Sequence, residues 1–472
     1  MQLSEYLRDN KFILSPTISY RTYSTEKNDI SIVSNENTHK YIVLESVSSK
    51  LFDFIIKGIE INTIIQFCKE YEIEDEFEGF LQELYEEGII LSKKQSNNKF
   101  KIHCISSKYC ADEEINDDEE LLNDIVRWTN KHNYLWSAHL DLTYKCNAKC
   151  IHCYNPNSQN REKNEYKNEL TFEEVTRLID GLAKIGVFKV TLSGGEVTLR
   201  NDFWDILGYC RRKGFCVEIY SNGINFDEEF IDKLLNYYVN KVSFSVYSYD
   251  ANKHDNITKV NGSHKKVVDA INQLNNKGIM TEFKSVQLNS TFNDYFKTKE
   301  FGESLNCNVI MDLSLTCCID GDKSPLKYGI PYSKLVDFAL KPGTEFSIID
   351  NNFISKKIDI NTYPCGAGRS SLAVDPYGNV YPCTSFPLKL GNIRENPIED
   401  IWNQSIVLKK WKEVKIKDFN QCGKLEYCKY CGEICAAEAY LEKGDYLETS
   451  SNNCKKAKAR MEAHNKIMFK PQ

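Results

Sequence analysis

The middle of the chain alternates short apolar runs with amphipathic helical stretches, and this alternation constrains the fold more than any other feature. Helices such as 171–185 and 203–213 separate the apolar runs. Strands that alternate with helices pack as a parallel sheet, so we predict an α/β fold over 135–335. In a parallel barrel the chemistry lies at the carboxyl ends of the strands. The six predicted strands are 136–142, 189–192, 216–220, 241–246, 280–286 and 309–313.

Three cysteines follow the first predicted strand at C-x3-C-x2-C spacing: Cys146, Cys150 and Cys153. A structural zinc ion takes four protein ligands, whereas a cubane cluster takes one thiolate for each iron. Three thiolates on one short loop therefore hold three irons of a 4Fe-4S cluster and leave the fourth open to a small molecule. Zinc is the less favoured alternative, because no fourth ligand follows within the distance of a zinc knuckle.

The segment 142–154 resembles the cluster loop of the radical S-adenosylmethionine (SAM) enzymes. The resemblance implies a partial (β/α)6 barrel in which the fourth iron is chelated by the amino and carboxylate groups of SAM. His152 would lie beside the adenine, and Tyr154 would also belong to the cofactor site. In that family one electron cleaves SAM to methionine and a 5′-deoxyadenosyl radical, which takes a hydrogen atom from an unactivated carbon.

The second predicted strand ends in Ser-Gly194-Gly195-Glu196. Glycines at a strand end let the backbone approach a ligand closely, and the glutamate can pair with an ammonium group. A Gly-Gly-Glu run binds the amino group of SAM in the family that the cysteine loop resembles. Lys284 would pair with the methionine carboxylate, although a structural or solvated lysine is an equal alternative. The resemblance implies cofactor contacts at three later strand ends: Asn222, Ser245 and Lys284.

No general base can be chosen from the sequence. A proton acceptor has to reach the substrate from the strand ends. Asp141 and Asp312 lie at or near predicted strand ends, and both are candidate catalytic residues.

Seven further cysteines cluster between Cys365 and Cys454, and the region resembles the SPASM domain, which binds two auxiliary iron-sulfur clusters. The family usually reads C-x2-C-x5-C-x3-C, and this chain reverses the first two spacings. The inner cluster would have three thiolates, so its open iron would bind either a substrate thiolate or Cys317 or Cys318. Two zinc knuckles are the alternative. The run Asp375-Pro-Tyr-Gly378 in this region predicts the turn of a small hairpin. The resemblance assigns Cys365, Cys383 and Cys435 to the inner cluster, and Cys422, Cys428, Cys431 and Cys454 to the outer one.

Residues 1–100 combine three strand-like runs with three amphipathic helices and resemble a winged-helix-like α+β domain, the recognition element of RiPP enzymes (RiPP, ribosomally made and post-translationally modified peptide). Such domains pair an extended leader peptide with the edge of the third strand and pack it on the third helix. A DNA-binding winged helix has the same outline, but the acidic third helix, 74–87, would repel phosphate. A purely structural domain is the other alternative. Residues 101–134 are predicted to be an acidic, solvated linker.

Eighteen cysteines in 472 residues are too sparse for a disulfide scaffold, and their clustering indicates metal ligands in a reduced, cytoplasmic protein. The net charge of −7 argues against a nucleic-acid surface. No apolar run reaches the eighteen residues of a membrane span, and no signal peptide is recognised, so we expect neither a nucleic-acid nor a membrane partner.

Together these features predict a peptide maturase with an N-terminal recognition domain, a barrel over 135–335, and a bridging segment with a SPASM domain over 336–472. The predicted reaction is hydrogen abstraction from a ribosomally made precursor peptide, followed by an intramolecular thioether or carbon-carbon crosslink. The alternatives are a maturase of a folded enzyme, which installs formylglycine or a quinone precursor, and a non-enzymatic electron carrier. The expected cofactors are SAM and three 4Fe-4S clusters, and a flavodoxin or ferredoxin is the expected electron donor.

Overall fold

The computed structural model describes residues 12–24, 29–59, 61–92, 117–156, 168–350 and 359–468. The outer parts of the predicted N-terminal domain, 1–11 and 93–100, and the linker residues 101–116 lie outside these ranges. The described strands are β1 Phe12–Leu14, β2 Ile18–Ser24, β3 Asp29–Asn35, β4 Lys40–Glu45, β5 Ile90–Ser92, β6 Ser137–Thr143, β7 Lys189–Gly194, β8 Cys216–Ser221, β9 Lys241–Ser245, β10 Met280–Val286, β11 Asn308–Asp312, β12 Ser371–Val374, β13 Asn379–Tyr381 and β14 Gly391–Asn392.

The described helices, apart from short 3-10 turns, are α1 Ser46–Ile56, α2 Ile61–Glu70, α3 Glu74–Glu86, α4 Asp117–Lys131, α5 Phe172–Lys184, α6 Phe203–Arg212, α7 Glu228–Leu234, α8 Ala251–Thr258, α9 Ser263–Asn276, α10 Tyr295–Ser304, α11 Tyr332–Ala339, α12 Ile398–Gln404, α13 Ile406–Glu413, α14 Ala436–Lys443 and α15 Ser451–Met468. None of these is both long and apolar enough to cross a bilayer.

Six parallel strands, β6 to β11, form the barrel wall in chain order, as the sequence predicts. Helices between them pack on the outer face through an apolar core that includes Leu192, Ile206 and Ile271. The first of these helices, α5, begins at a capping box in which Thr171 and Glu174 each accept a hydrogen bond from the other's backbone N–H. Because parallel strands share one direction, their carboxyl ends meet at one edge, where the cysteine loop also begins.

A hairpin of the C-terminal region extends this wall. Strand β12 pairs in parallel with β6, so the sheet has nine strands in the order β11-β10-β9-β8-β7-β6-β12-β13-β14. The turn between β12 and β13 is the one predicted from Asp-Pro-Tyr-Gly. The Asp375 carboxylate accepts hydrogen bonds of 2.9 Å from the backbone N–H groups of Tyr377 and Asn379. The hairpin covers the β6 side of the barrel wall, and β11 forms the other margin of the sheet.

The N-terminal unit is a three-stranded antiparallel sheet in the order β2-β3-β4, with α1 to α3 on one face. The other face packs on the amino end of the barrel, where Tyr23 and Ile32 contact the cluster that contains Phe188. Polar contacts add to this packing. Arg21 Nε donates to the Val187 carbonyl at 2.8 Å, and the Tyr20 N–H donates to the Gly214 carbonyl at 2.9 Å.

The second half of the predicted linker differs from the expectation. Residues 117–131 form α4, in which Ile125 is 5% exposed and Thr129 is fully buried. Leu121 and Leu122 also pack into the cluster that contains Trp136. The acidic residues that indicated a solvated connector are interspersed with an apolar stripe at helical spacing, and the stripe is what packs.

Candidate active site

The three predicted cluster ligands lie on one loop that leaves the carboxyl end of β6. Cys146, Cys150 and Cys153 are all partly exposed. The loop is held against α8 by two backbone hydrogen bonds: the Lys149 N–H donates to the Thr258 carbonyl at 2.9 Å, and the Ile151 N–H donates to Ile257 at 3.0 Å. The thiols are therefore carried by a loop whose backbone is anchored.

The glycine pair after β7 packs against the start of this loop. The Gly195 N–H donates to the Thr143 carbonyl, and the Glu196 N–H to the Lys145 carbonyl, both at 2.7 Å. A Cβ atom would lie 2.2 Å from the Thr143 carbonyl oxygen at position 194 and 2.3 Å from the Lys145 oxygen at position 195. The backbone that these glycines approach so closely is therefore the cysteine loop itself.

Glu196 joins three strand ends beneath the loop. Its carboxylate is 1% exposed and accepts hydrogen bonds from the Thr198 and Ser221 hydroxyls and from the Asn222 N–H, at 2.8 to 3.0 Å. Burial raises the pKa of Glu196, although these hydrogen bonds oppose the shift. The Asn222 side chain in turn donates to Asn147 Oδ1 at 2.7 Å and lies 3.8 Å from Cys146 Sγ. A contact of Glu196 with an ammonium group stays a prediction.

His152 is buried behind the cysteine loop. It is 7% exposed, and its Nδ1 atom has no hydrogen-bond partner within the described residues. Burial lowers the pKa of His152 to about 4, so the ring is neutral. Its ring packs edge-on against Tyr247, with centroids 4.5 Å apart. Burial raises the pKa of Tyr247, and the nearby Cys150 thiol adds to the shift, so this tyrosine also adjoins the loop.

Tyr154 lies where the barrel meets the C-terminal region. Burial raises the pKa of Tyr154 well above its usual value, and Asp141, Cys153, Tyr220 and Cys383 all contribute. Its phenol is therefore an electrostatic neighbour of one cysteine from each of two predicted metal sites. The Tyr154 carbonyl also accepts a hydrogen bond of 2.9 Å from the Ile319 N–H, which follows the last barrel strand.

A chain of alternating charges lines the barrel lumen below the loop. Lys189 pairs with Glu218 at 3.1 Å, and Lys241 pairs with Glu218 at 3.7 Å and with Glu282 at 2.9 Å. Lys284 pairs with Glu282 at 3.1 Å and also donates to the Tyr220 hydroxyl. Burial alone would raise the pKa of Glu282, but Lys284 and Lys241 outweigh it and hold this pKa at about 2.

The two candidate bases lie on the first and last strands of the barrel. Asp141 on β6 is 8% exposed, and its Oδ1 lies 3.2 Å from His139 Nε2. Asp312, at the end of β11, accepts a hydrogen bond of 2.7 Å from the Ser314 N–H. Burial raises the pKa of Asp312, and Ser314 and Lys456 oppose the shift.

Five of the C-terminal cysteines line one cavity: the four predicted outer ligands, Cys422, Cys428, Cys431 and Cys454, and the predicted inner ligand Cys435. Burial and the three neighbouring thiols raise the pKa of Cys422 to about 12. Four thiols enclosed in this way ionise only if a positive group compensates them, as the irons of a cluster would. Across the described ranges no three metal-ligating side chains converge on a single ion, and a cubane differs because each thiolate binds a separate iron.

The predicted inner ligands are also neighbours. Burial raises the pKa of Cys383 to about 11, with a contribution from Cys365, and it raises that of Cys435 to about 12, with contributions from Glu438 and Cys383. The two proposed fourth ligands, Cys317 and Cys318, have different surroundings. Cys318 Sγ lies 3.2 Å from the Cys153 carbonyl, whereas Cys317 is buried near Glu438 and Glu442.

Two family models match the chain. The radical SAM superfamily model covers residues 140–291, and the SPASM model, an iron-sulfur cluster-binding domain, covers 365–432. This enzyme carries a radical SAM domain and a SPASM domain. The two domains imply SAM and 4Fe-4S clusters as its cofactors.

Relatives of this enzyme differ in their named activities. The AdoMet-dependent heme synthase of Methanosarcina barkeri is 27% identical over 335 residues, which are 65% of this chain and 93% of the relative. The subtilosin biosynthesis protein AlbA of Bacillus subtilis is 27% identical over 307 residues, 62% of this chain and 66% of the relative. The structure of Streptococcus suis SuiB bound to precursor peptide SuiA is 17% identical with a TM-score of 0.55, and the match covers 94% of this chain and 99% of SuiB. At that identity the likeness shows the fold.

The residues of the radical SAM domain fit the implied groups. Three partly exposed thiols share one anchored loop, and the buried, unsatisfied Nδ1 atom of His152 lies beside it. Sequence reasoning missed His139, Tyr220 and Tyr247. For His139 and Tyr220 the signal was the period-two alternation of β6 and β8, which places both side chains on the inward face with the predicted residues.

Proposed function

We propose that this radical SAM enzyme modifies a ribosomally made precursor peptide and closes an intramolecular thioether or carbon-carbon crosslink. The observation that carries the proposal is an additional folded unit, β2-β3-β4 with α1 to α3, which lies outside both matched family regions. The named peptide-modifying relatives and the SuiB fold support the same class of substrate.

This N-terminal unit has the features that recognition of an extended peptide needs. Strand β4 is at the margin of its sheet, and margin strands offer unpaired N–H and C=O groups. The end of α3 lies close to β4, since Lys40 pairs with Glu87 at 3.6 Å and the Asn35 side chain donates to the Glu87 carbonyl at 2.9 Å. We infer that the leader of the precursor binds along β4 beside α3.

In the barrel, Cys146, Cys150 and Cys153 would hold the cluster. Bound SAM and the cluster supply one-electron cleavage and hydrogen-atom abstraction. The chain's own residues orient the cofactor and exclude water. The residues proposed to contact SAM are His152, Tyr154, Gly194, Gly195, Glu196, Asn222, Ser245 and Lys284. Among these residues, Lys284 already forms an ion pair with Glu282, so a carboxylate in the lumen partly compensates the positive charge of Lys284.

Crosslinking removes a proton from the peptide, so the lumen needs an acceptor. Asp141 is one candidate, because its carboxylate lies on the lumen face of β6 with Oδ1 3.2 Å from His139 Nε2. Asp312 is the second candidate, because burial raises its pKa and makes it a better proton acceptor than an ordinary aspartate. The departing electron would pass to the auxiliary clusters and on to a flavodoxin or ferredoxin, which also would supply the reducing electron.

The deciding experiment offers the reconstituted enzyme two kinds of substrate under reducing, oxygen-free conditions with SAM. One is any short, cysteine-bearing peptide that a reading frame beside this gene encodes, and the other is a heme precursor. Heme synthesis is the second candidate function, because named heme synthases are 27% identical to this chain. Loss of two hydrogen masses from the peptide supports the proposal. Turnover of the heme precursor alone would replace it.

A further inference from the structure

Strand β11 leaves one side of the barrel wall unpaired. It pairs with β10 over Glu282↔Asn308 to Val286↔Asp312 and is the terminal strand of the nine-stranded sheet. Among the residues that the structure describes, no backbone hydrogen bond joins the other side of β11. The opposite flank of the barrel differs, because there β12 pairs with β6.

The direction of the β11 backbone can be worked out from one hydrogen bond. The Gln287 N–H, just after β10, donates to the Asp312 carbonyl at 2.8 Å, so the backbone groups of Asp312 point toward β10. Successive residues of a strand point their backbone groups to opposite sides. The N–H and C=O groups of Val309 and Met311 therefore point to the unpaired side.

The lumen face of β11 is exposed to an unusual degree for a barrel strand. Asn308 and Ile310 are exposed, and Ile310 keeps 40% of its surface accessible. Asn308 Nδ2 donates to Glu282 at 3.1 Å, which shows that this face looks into the lumen. Val309 and Met311 face the other way and pack on helices. An apolar lumen side chain beside free backbone groups suits an extended peptide.

The carboxyl end of β11 also lies close to the SPASM domain. Lys456 Nζ donates to Ser314 Oγ and to Glu433, both at 2.8 Å. Glu433 in turn accepts, through its carbonyl, a hydrogen bond from the Cys431 thiol at 2.8 Å. A segment that follows β11 toward its carboxyl end therefore runs toward the edge that carries the cysteine loop, with the C-terminal cysteines nearby.

We propose that the segment of the peptide substrate that becomes modified binds as an added strand on β11, with backbone hydrogen bonds to Val309 and Met311 and an apolar side chain on Ile310. This inference rests on the proposed peptide substrate and adds a second docking edge to it. The β4 edge would hold the leader at the amino end of the barrel, and the β11 edge would hold the modified segment in the lumen.

The test measures amide hydrogen exchange across 308–313 in the reconstituted enzyme with SAM. The probe is the peptide that the enzyme modifies in the preceding experiment, added at full length or as its leader portion alone. We expect two additional protected amides, those of Val309 and Met311, with the full-length peptide and none with the leader. The amides of Ile310 and Asp312 point to β10 and should be protected in both states.

A pair of variants gives an independent readout. Met311→Pro removes one N–H that points to the unpaired side, whereas Met311→Leu keeps it. Loss of one hydrogen bond should raise KM for the full-length peptide about fivefold in the proline variant only. Iron content and peptide-independent SAM cleavage should match the wild type in both, which controls for folding.

The outcomes separate the two proposals. If the full-length peptide is modified while exchange at Val309 and Met311 stays unchanged, the β11 inference is wrong and the proposed function stands. If neither the full-length peptide nor its leader binds, and no modification occurs, the proposed function fails and the inference fails with it.

Discussion

The cysteine loop after β6 and the outer group of C-terminal cysteines differ in the number of thiols that each offers to a cluster. The loop carries three thiols within residues 146–153, all partly exposed, beside a polar lumen. The outer group comprises four thiols, Cys422, Cys428, Cys431 and Cys454, which line a single cavity together with Cys435. Three ligands would leave an iron accessible to chemistry, whereas four would complete the coordination of a cubane. On this comparison we expect the first site to react and the second to carry electrons.

The largest effect is expected for removal of the three loop thiols. Cys146→Ala/Cys150→Ala/Cys153→Ala should abolish both SAM cleavage and peptide modification. Iron content should fall from about twelve to about eight per chain, because one cubane is lost. Iron and sulfide analysis with electron paramagnetic resonance on anaerobic protein measures this, and a SAM-perturbed signal that survives in the variant would contradict the assignment.

A methyl group placed against the loop should have the next largest effect. In Gly195→Ala the new Cβ would lie 2.3 Å from the Lys145 carbonyl oxygen, which belongs to the backbone and cannot rotate away. We expect a loss of stability of about 3 kcal/mol and a cysteine loop that loses its cluster. Gly208→Ala is the matched control, because the atoms nearest to its Cβ, the end of the flexible Arg212 side chain and the edge of the Tyr237 ring, both lie at 3.3 Å and belong to side chains. Equal melting temperatures for the two variants would refute the close packing.

The outer group should matter less for SAM cleavage. Cys428→Ser/Cys431→Ser should remove about four irons and leave SAM cleavage within about twofold of wild type, while the yield of crosslinked peptide falls at least about tenfold. SAM cleavage and crosslinking should respond differently, because these thiols lie outside the barrel and their cluster would only accept electrons. If this variant lost as much SAM cleavage as the loop variant, the two groups of cysteines would not differ in function as proposed.

We expect the smallest effect on turnover when one of the charged side chains in the lumen is replaced by a neutral one. The pKa of Glu282 is about 2, below the value of about 4.3 in an unfolded chain, so its ionised form stabilises the fold by about 3 kcal/mol. A lowered carboxyl pKa contributes stability that is present above the unfolded value and lost as pH falls toward the folded one. Glu282→Gln should therefore be less stable by a constant amount between about pH 5.5 and 8, and the gap should shrink in more acidic solution. Melting curves recorded across this pH range measure the difference in stability between the variant and the wild type. Gln66→Glu on the surface of α2 is a control that should leave the pH dependence of stability unchanged.

Much of the fold could be predicted from local patterns. The six barrel strands and the Asp375 turn were predicted within a few residues, because strand alternation and turn chemistry are properties of short segments. The second half of the linker was wrongly expected to be solvated, because its charges obscured the stripe that contains Ile125. The parallel pairing of β12 with β6 was not predicted, since the two strands are more than two hundred residues apart.

The sequence by itself determined the cysteine spacing, the strand and helix period and the Gly-Gly-Glu run, and these were enough to indicate radical chemistry. Only the tertiary structure decided which groups face one another. It placed the glycines against the cysteine loop, the His139 ring on Asp141, and Tyr154 between Cys153 and Cys383. Among the described residues it also left the outer side of β11, to which the backbone groups of Val309 and Met311 point, without a neighbouring strand. The reason is physical: spacing along a chain specifies ligand number and local geometry, whereas burial and pairing depend on segments that meet only when the sheet closes.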